Sequence, residues 1–387
     1  MAKKLTYQEK IQRLAKKQKK RIGLHISILL VALLAFIVGH ELFFSPADAE
    51  VKTEADSELT TAFVGDLMFG RHVQDVAHEK GYDHLFKQVS PIFEQADYVS
   101  GNFENPVVAG DEDDYEKLDK QIHLYSEPEA VQALKENHFT MLNLANNHLM
   151  DYGVDGLNDT VNTLNEAEMP HVGAGENVND AIEIDYQEIN GVTIATLGYT
   201  DALVEGFSAL GYRPGVARAI PQNIFPKIEE ADENADLVFV NVHWGAEYDS
   251  DPHPDQRELG RAMVDVGADA IIGHHSHVLS EIEQYKDGVI FYGLGNFIFD
   301  QGWSKTKDSA IVQYDLKEDG TGQFEVYPVR IRGAQPYVTN NKYYQMKIRE
   351  QLTKNQPSED FTTKDGNLVF EMDHSNILEE RDKNNEQ

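Results

Sequence analysis

From Leu59 onward the chain alternates short apolar runs with amphipathic stretches, and this alternation restricts the available folds more than any other feature. Strand-like runs lie at Thr60–Val64, Tyr98–Gly101, Thr140–Leu144, Val192–Leu197, Leu237–Val242, Ala270–Ile272 and Val289–Tyr292. Between them are segments with helical spacing, such as Glu129–Asn137, Val154–Glu168 and Gln256–Val266. Strand-length runs broken by helices predict an α/β fold. Later, Ala310–Leu316 and Gln323–Ile331 flank Lys317-Glu318-Asp319-Gly320-Thr321-Gly322, a turn rich in Asp and Gly that reads as a hairpin. From Tyr337 the chain is charged and weakly patterned, and is expected to be helical and then disordered. It contains no internal repeat.

Polar residues gather where the apolar runs stop. Val64 leads to Gly65-Asp66, Gly101 to Asn102-Phe103-Glu104, and Leu144 to Asn146-Asn147-His148. Val242 leads to His243-Trp244-Gly245, Ile272 to Gly273-His274-His275-Ser276-His277, and Tyr292 to Gly293-Leu294-Gly295-Asn296. Ligands of α/β folds bind at the carboxyl ends of strands. Asp66 and Glu104 offer carboxylates, His243, His275 and His277 imidazoles, and Asn147 an amide oxygen, all ligands for a divalent metal. With no cysteine in the chain, thiolate sites and disulfides are excluded. Strand geometry would turn His275 and His277 to one side, because side chains alternate with a period of two. Glu104 has two oxygens and could bridge two ions, which at roughly 3.5–4 Å apart would polarise a phosphoryl group.

Each motif alone has a plainer meaning. Gly65-Asp66 fits a helix cap, Asn146-Asn147-His148 a turn, and His243-Trp244-Gly245 an aromatic corner. The histidine cluster resists such a reading, because buried polar groups need partners. It is the ordered combination that points to metal. Arg71 and His72, just past Asp66, are candidates for holding an anionic substrate group, with a loop salt bridge as the alternative for Arg71.

The other constraint lies at the start. Ile22 to Gly39 reads IGLHISILLVALLAFIVG, without a formal charge, and Leu42-Phe43-Phe44 extends it. A bilayer core needs roughly 20 apolar residues. The basic run Lys16-Lys17-Gln18-Lys19-Lys20-Arg21 precedes it, and positive flanks stay cytoplasmic. The expectation is a basic cytoplasmic segment (1–21), a single-pass anchor (22–44), a polar linker (45–58), an extracellular domain (59–336) and a charged tail (337–387). A signal peptide cleaved near Ala47-Asp48-Ala49 is the rival, but the apolar run exceeds the usual 7–15 residues of such a segment. Of 34 Lys/Arg and 66 Asp/Glu, residues 1–21 hold nine and one, leaving 25 and 65, a formal charge of −40 on the remainder. Such a surface repels nucleic acid.

Six stretches together carry a family resemblance. They are Phe63 to Arg71 (FVGDLMFGR), Gly101 to Pro106 (GNFENP), Ala145 to Gly153 (ANNHLMDYG), His243 to Tyr248 (HWGAEY), Gly273 to Val278 (GHHSHV) and Leu294 to Asp300 (LGNFIFD). The sequence resembles the bacterial capsule synthesis family of CapA type, whose close members serve poly-γ-glutamate synthesis and export. That family is in turn similar to calcineurin-like metallophosphoesterases. The resemblance implies a four-layer sandwich, two sheets flanked by helices, behind one N-terminal transmembrane helix.

It also implies one metal at Glu104, Asn147, His243 and His275, and a second at Asp66, Glu104 and His277. Met68 stands where the wider superfamily has a histidine ligand, and Glu104 where it has Asp, which should weaken the second site. By resemblance His148 takes the role of acid or hydrogen-bond donor, while its plainer role is a bond to Asp151. The implied cofactor is one or more divalent ions (Mn, Zn, Fe or Mg). The implied partners are poly-γ-glutamate or the membrane subunits of its synthase. If the chain is an enzyme, the resemblance implies a metal-dependent hydrolase or transferase. The alternatives are an extracytoplasmic metallophosphoesterase on another substrate and a non-catalytic scaffold of the synthase complex.

Overall fold

The computed structural model describes residues 5–43, 57–202, 204–357, 360–375 and 377, side chains excepted at 37–43. It divides into two compact units, Met1–Pro46 and Ala47–Gln387.

In the first unit, the helix Tyr7–Lys19 begins at a capping box in which Thr6 and Glu9 satisfy each other's backbone N–H. A second helix spans Ile22–Phe43. Its large side chains are exposed all round, from Ile22 (51%) and Leu24 (58%) to Leu34 (64%) and Phe36 (70%). Among the described residues no helix is long and apolar enough to cross a membrane. The described side chains stop at Phe36, short of the roughly 20 apolar residues that a bilayer core requires. The stretch expected as an anchor is helical over Ile22–Phe43, while most of the linker and Ala47-Asp48-Ala49 lie outside the described residues.

The second unit is built on two sheets. In the larger, eight strands run in the order Thr362–Lys364, Asn367–Asp373, Thr321–Arg332, Asp308–Lys317, Ser57–Leu67, Tyr98–Phe103, Met141–Asn143 and His171–Val172. Asn296–Ile298 pairs with Ser57–Leu67 off this path, and Gln335–Val338 with Thr321–Arg332. The smaller sheet runs Ile282–Tyr285, Gly288–Phe291, Ala270–His274, Leu237–His243, Val192–Thr200 and Asp185–Ile189. The last four strands of the first order are mutually parallel, as are the four central strands of the second.

Alternation along each strand builds three cores. Leu59, Phe63, Tyr98 and Met141 meet Ile194, Phe239, Ile272 and Phe291 in a core shared by the two sheets. Ala62, Val64, Val99 and Leu142 face the helices Arg71–Lys80, Glu129–Glu136 and Gly153–Glu166. On the other side, Ala195, Val240 and Ile271 face Pro221–Asp232 and Pro254–Asp265. The layers are therefore helix, sheet, sheet, helix. The central parallel strands are buried on both faces, as parallel sheets require.

The tail departs from expectation. Lys342–Leu352 is helical, but the chain then returns as a hairpin on the edge of the larger sheet. Asp365 (φ 53°) and Gly366 (φ 102°) make its turn, the Asp-Gly pair favoured in two-residue hairpins. Leu368, Phe370 and Met372 enter the inter-sheet core, where Phe370 stacks on Phe324 at 4.8 Å.

Candidate metal centre

Because the strands are parallel, both sheets deliver their carboxyl ends to one edge. Asp66 ends one strand and Glu104 follows the next, and both are fully buried. The chain can hold Asp66 there because Gly65 lets the backbone close on Gly295. A Cβ at position 65 would meet Gly295 O at 1.9 Å, and Asp66 N donates to that same oxygen at 2.9 Å. From the smaller sheet, His243 ends its strand and sits beside His274 in register.

His275 and His277 are not in a strand. The strand stops at His274, and both later histidines take left-handed backbone, φ 87° and φ 55°. Residues with a Cβ adopt this conformation at a cost of about 1–3 kcal/mol, and it concentrates at functional sites. The two rings do reach one site, 6.2 Å apart, but the turn brings them there rather than strand alternation.

Two sets of ligand atoms result, Glu104 with His243 and His275, and Asp66 with Glu104 and His277, each within 4.8 Å of one another. Glu104 belongs to both. Asn147 Oδ1 lies 2.9 Å from His243 Nε2, and His277 Nε2 lies 3.6 Å from Glu104 Oε1. All six residues expected as ligands therefore meet at one edge of the sheets. Met68 turns away into the core on the outer face of the larger sheet.

The donor set is one that wants a cation. Asp66 Oδ2, Glu104 Oε1 and His275 Nδ1 are buried without a hydrogen-bond partner. Such groups are costly to leave unsatisfied. Burial alone would raise Asp66, but His277, His274 and Asn102 together hold it below the usual carboxylate range. Glu104 is pushed well above its usual value by burial and then by the charge of Asp66. Burial, reinforced by neighbouring histidines, holds His243 well below its ordinary value, and burial pushes His275 down to about 4. Neutral imidazole is the form that binds metal. Two carboxylates that repel each other beside bare imidazoles therefore fit one or two divalent ions.

Several supporting residues carried no separate signal. Asn102 Nδ2 donates to Asp66 Oδ1 at 2.9 Å, while its own Oδ1 accepts from Asn143 at 3.0 Å. Asn296 Oδ1 lies 2.9 Å from His277 Nδ1, fixing the tautomer that leaves Nε2 bare toward Glu104. Both asparagines stand inside the signature stretches but cannot be told from turn residues by type.

His148 Nδ1 lies 2.7 Å from Asp151 Oδ2, and Lys120 Nζ donates to Asp151 Oδ1 at 2.5 Å. The bond to Asp151 places the proton on Nδ1 and leaves Nε2 an acceptor. Burial lowers the pKa of His148 against the pull of Asp151, so in its neutral form the ring accepts rather than donates at Nε2. Arg71 does not join the ligand cluster. Its guanidinium donates to Asp300 at 2.5 Å and lies over the Phe299 ring, which itself packs 5.0 Å from His277. Tyr248, 5.9 Å from His277, and Trp303, 5.2 Å from Tyr248, continue this wall outward.

Comparison with known proteins agrees with the motifs. The chain is 47% identical to the PGA biosynthesis protein CapA of Bacillus subtilis (strain 168), over 98% of this chain and 100% of that one. It is 44% identical to the capsule biosynthesis protein CapA of Bacillus anthracis, over 99% and 95%. A solved 5'-nucleotidase precursor from Thermus thermophilus aligns at 14% identity and TM-score 0.38, over 66% and 51%, too distant to carry an argument. Residues 60–301, which contain all six candidate ligand residues, match the family of the bacterial capsule synthesis protein PGA_cap, and the chain belongs to that family.

Proposed function

We propose that this protein is a membrane-anchored, extracytoplasmic component of poly-γ-glutamate capsule biosynthesis and export, carrying a metal-dependent, hydrolase-like site. The observation that carries the pathway is the likeness to the PGA biosynthesis protein CapA along that relative's whole length. A pathway shared over the full chain is better supported than one shared over a single domain. Its partners would be the polymer or the membrane subunits of the synthase.

The site adds the chemistry. Glu104, Asn147, His243 and His275 would hold one divalent ion and Asp66, Glu104 and His277 a second, which would supply Lewis acidity toward a carbonyl or phosphoryl oxygen. His148 Nε2, left an acceptor by the bond to Asp151, would take a proton beside it, rather than donate one as the resemblance implies. Arg71, pinned to Asp300 at the rim, offers a cation to an anionic substrate group. The anchor is supported by the apolar helix from Ile22, with its side chains exposed, and by the basic residues ahead of it.

The test is a Bacillus subtilis strain whose only CapA is this chain, wild type or His275→Ala. Protease added to intact protoplasts is expected to remove the large domain of both and leave a small stub. Polymer output is expected to fall to background in His275→Ala at unchanged protein level. Full output from that variant would mean a scaffold without a working site, and recovery of the domain in the medium would mean it has no anchor.

A further inference from the structure

Directly beneath the ligand cluster, the inter-sheet layer holds two polar side chains where apolar ones are expected. Asn241 and His274 occupy the inward face of adjacent strands, in line with Phe239 and Ile272, and both are 1% exposed. Burying an amide and an imidazole in such a layer costs energy unless both are satisfied. His274 Nε2 lies 3.3 Å from Asn241 Oδ1. That arrangement leaves Asn241 Nδ2 and His274 Nδ1 without partners, although His274 Nδ1 is only 3.6 Å from Asp66 Oδ1.

One change turns a ring N–H toward Asp66, although the far end of the Asn241 amide stays without a partner among the described residues. An amide can be turned over without altering its shape, and the histidine tautomer follows its hydrogen bonds. With the Asn241 amide reversed, its Nδ2 donates to His274 Nε2, and the ring proton moves to Nδ1, facing Asp66. The amide then donates to His274, whose Nδ1–H faces Asp66 Oδ1 at 3.6 Å, an electrostatic contact just beyond hydrogen-bond length. Asn102 already donates to that same oxygen. The other oxygen, Oδ2, is left facing His277 Nδ1 at 3.2 Å, on the side of the metal-binding set.

We propose that His274, oriented by Asn241, is a positioning residue that fixes the Asp66 carboxylate as a ligand from below. The inference rests on the metal reading of this site. Its physical sense comes from Met68. With an apolar thioether in the core at that position, the Asp66 set among the described residues has only Glu104 and His277 besides Asp66. A site short of ligands gains most from having each one held still, and partners behind metal ligands are worth about 10–100-fold in affinity.

The experiment uses the full chain in detergent, stripped of metal and titrated with Mn²⁺ alone, following affinity and stoichiometry. Wild type is compared with His274→Leu, which fills the space without a donor, and His274→Asn, whose amide can donate from near the Nδ1 position. His274→Leu is expected to weaken one of two ions by about 10–100-fold and leave the other unchanged. His274→Asn is expected to stay within a few-fold of wild type. A merely structural role would instead lower the melting temperature of the metal-free chain in both variants and weaken both ions alike. Equal Mn²⁺ binding by wild type and His274→Leu, or equal loss in the two variants, overturns the inference while leaving the metal reading intact. A wild-type chain that binds no ion overturns both.

Discussion

Replacing Glu104 by Gln is expected to remove both ions at once. Glu104 is the one residue common to the two ligand sets, and it is fully buried between Asp66 and the histidines. Gln keeps the shape but gives up the charge and turns N–H donors toward the cations. Losing the shared carboxylate should cost more than losing an outer partner, so affinity is expected to fall by over about 100-fold at both positions. The metal-free protein should not suffer. Burial and then the charge of Asp66 raise the pKa of Glu104, which favours its neutral form without metal, and Gln resembles that form. Its metal-free melting temperature is expected to match or exceed that of wild type. Loss of a single ion, or a large drop in metal-free stability, would show that Glu104 is not the bridge.

Trp244→Ala should produce the largest loss of stability. Trp244 is fully buried, stacks on Tyr292 at 5.8 Å, and donates from Nε1 to Tyr292 O at 3.0 Å. Removing a buried aromatic of this size costs about 3–5 kcal/mol, and here a backbone carbonyl is also left without its donor. Urea unfolding followed by circular dichroism measures it. Trp244 adjoins His243, so metal affinity should fall with stability in this variant, whereas Trp244→Phe should recover much of both. A loss under about 1 kcal/mol would mean that the corner repacks freely.

What the sequence disclosed depended on how local each signal is. Strand ends such as Val64-Gly65-Asp66 and Val242-His243 were legible because an apolar run and its polar stop are neighbours in the chain. The convergence of six such ends was legible because parallel strands must share a carboxyl edge. The orientation of His275 and His277 was not, because their left-handed backbone is fixed by tertiary packing, and strand alternation suggested a different cause for the right outcome. Asn102, Asn296 and His274 were legible only as polar residues at strand ends, because their partners Asp66, His277 and Asn241 lie far away in sequence. The terminal hairpin is a different failure. Asp365-Gly366 followed by Leu368, Phe370 and Met372 is a local signal, masked by the charges around it. Arg71 was legible as a cation near the site, but its pairing with Asp300 joins segments 229 residues apart.

The central claim is that this edge of the two sheets is a metal centre, and the most direct measurement is anomalous diffraction from crystals of the protein grown with Mn²⁺. The account predicts one peak among Glu104, Asn147, His243 and His275, and a second, weaker one among Asp66, Glu104 and His277, about 3.5–4 Å away. Crystals of comparable quality whose peaks fall only on surface carboxylates, with none touching Glu104, would contradict it.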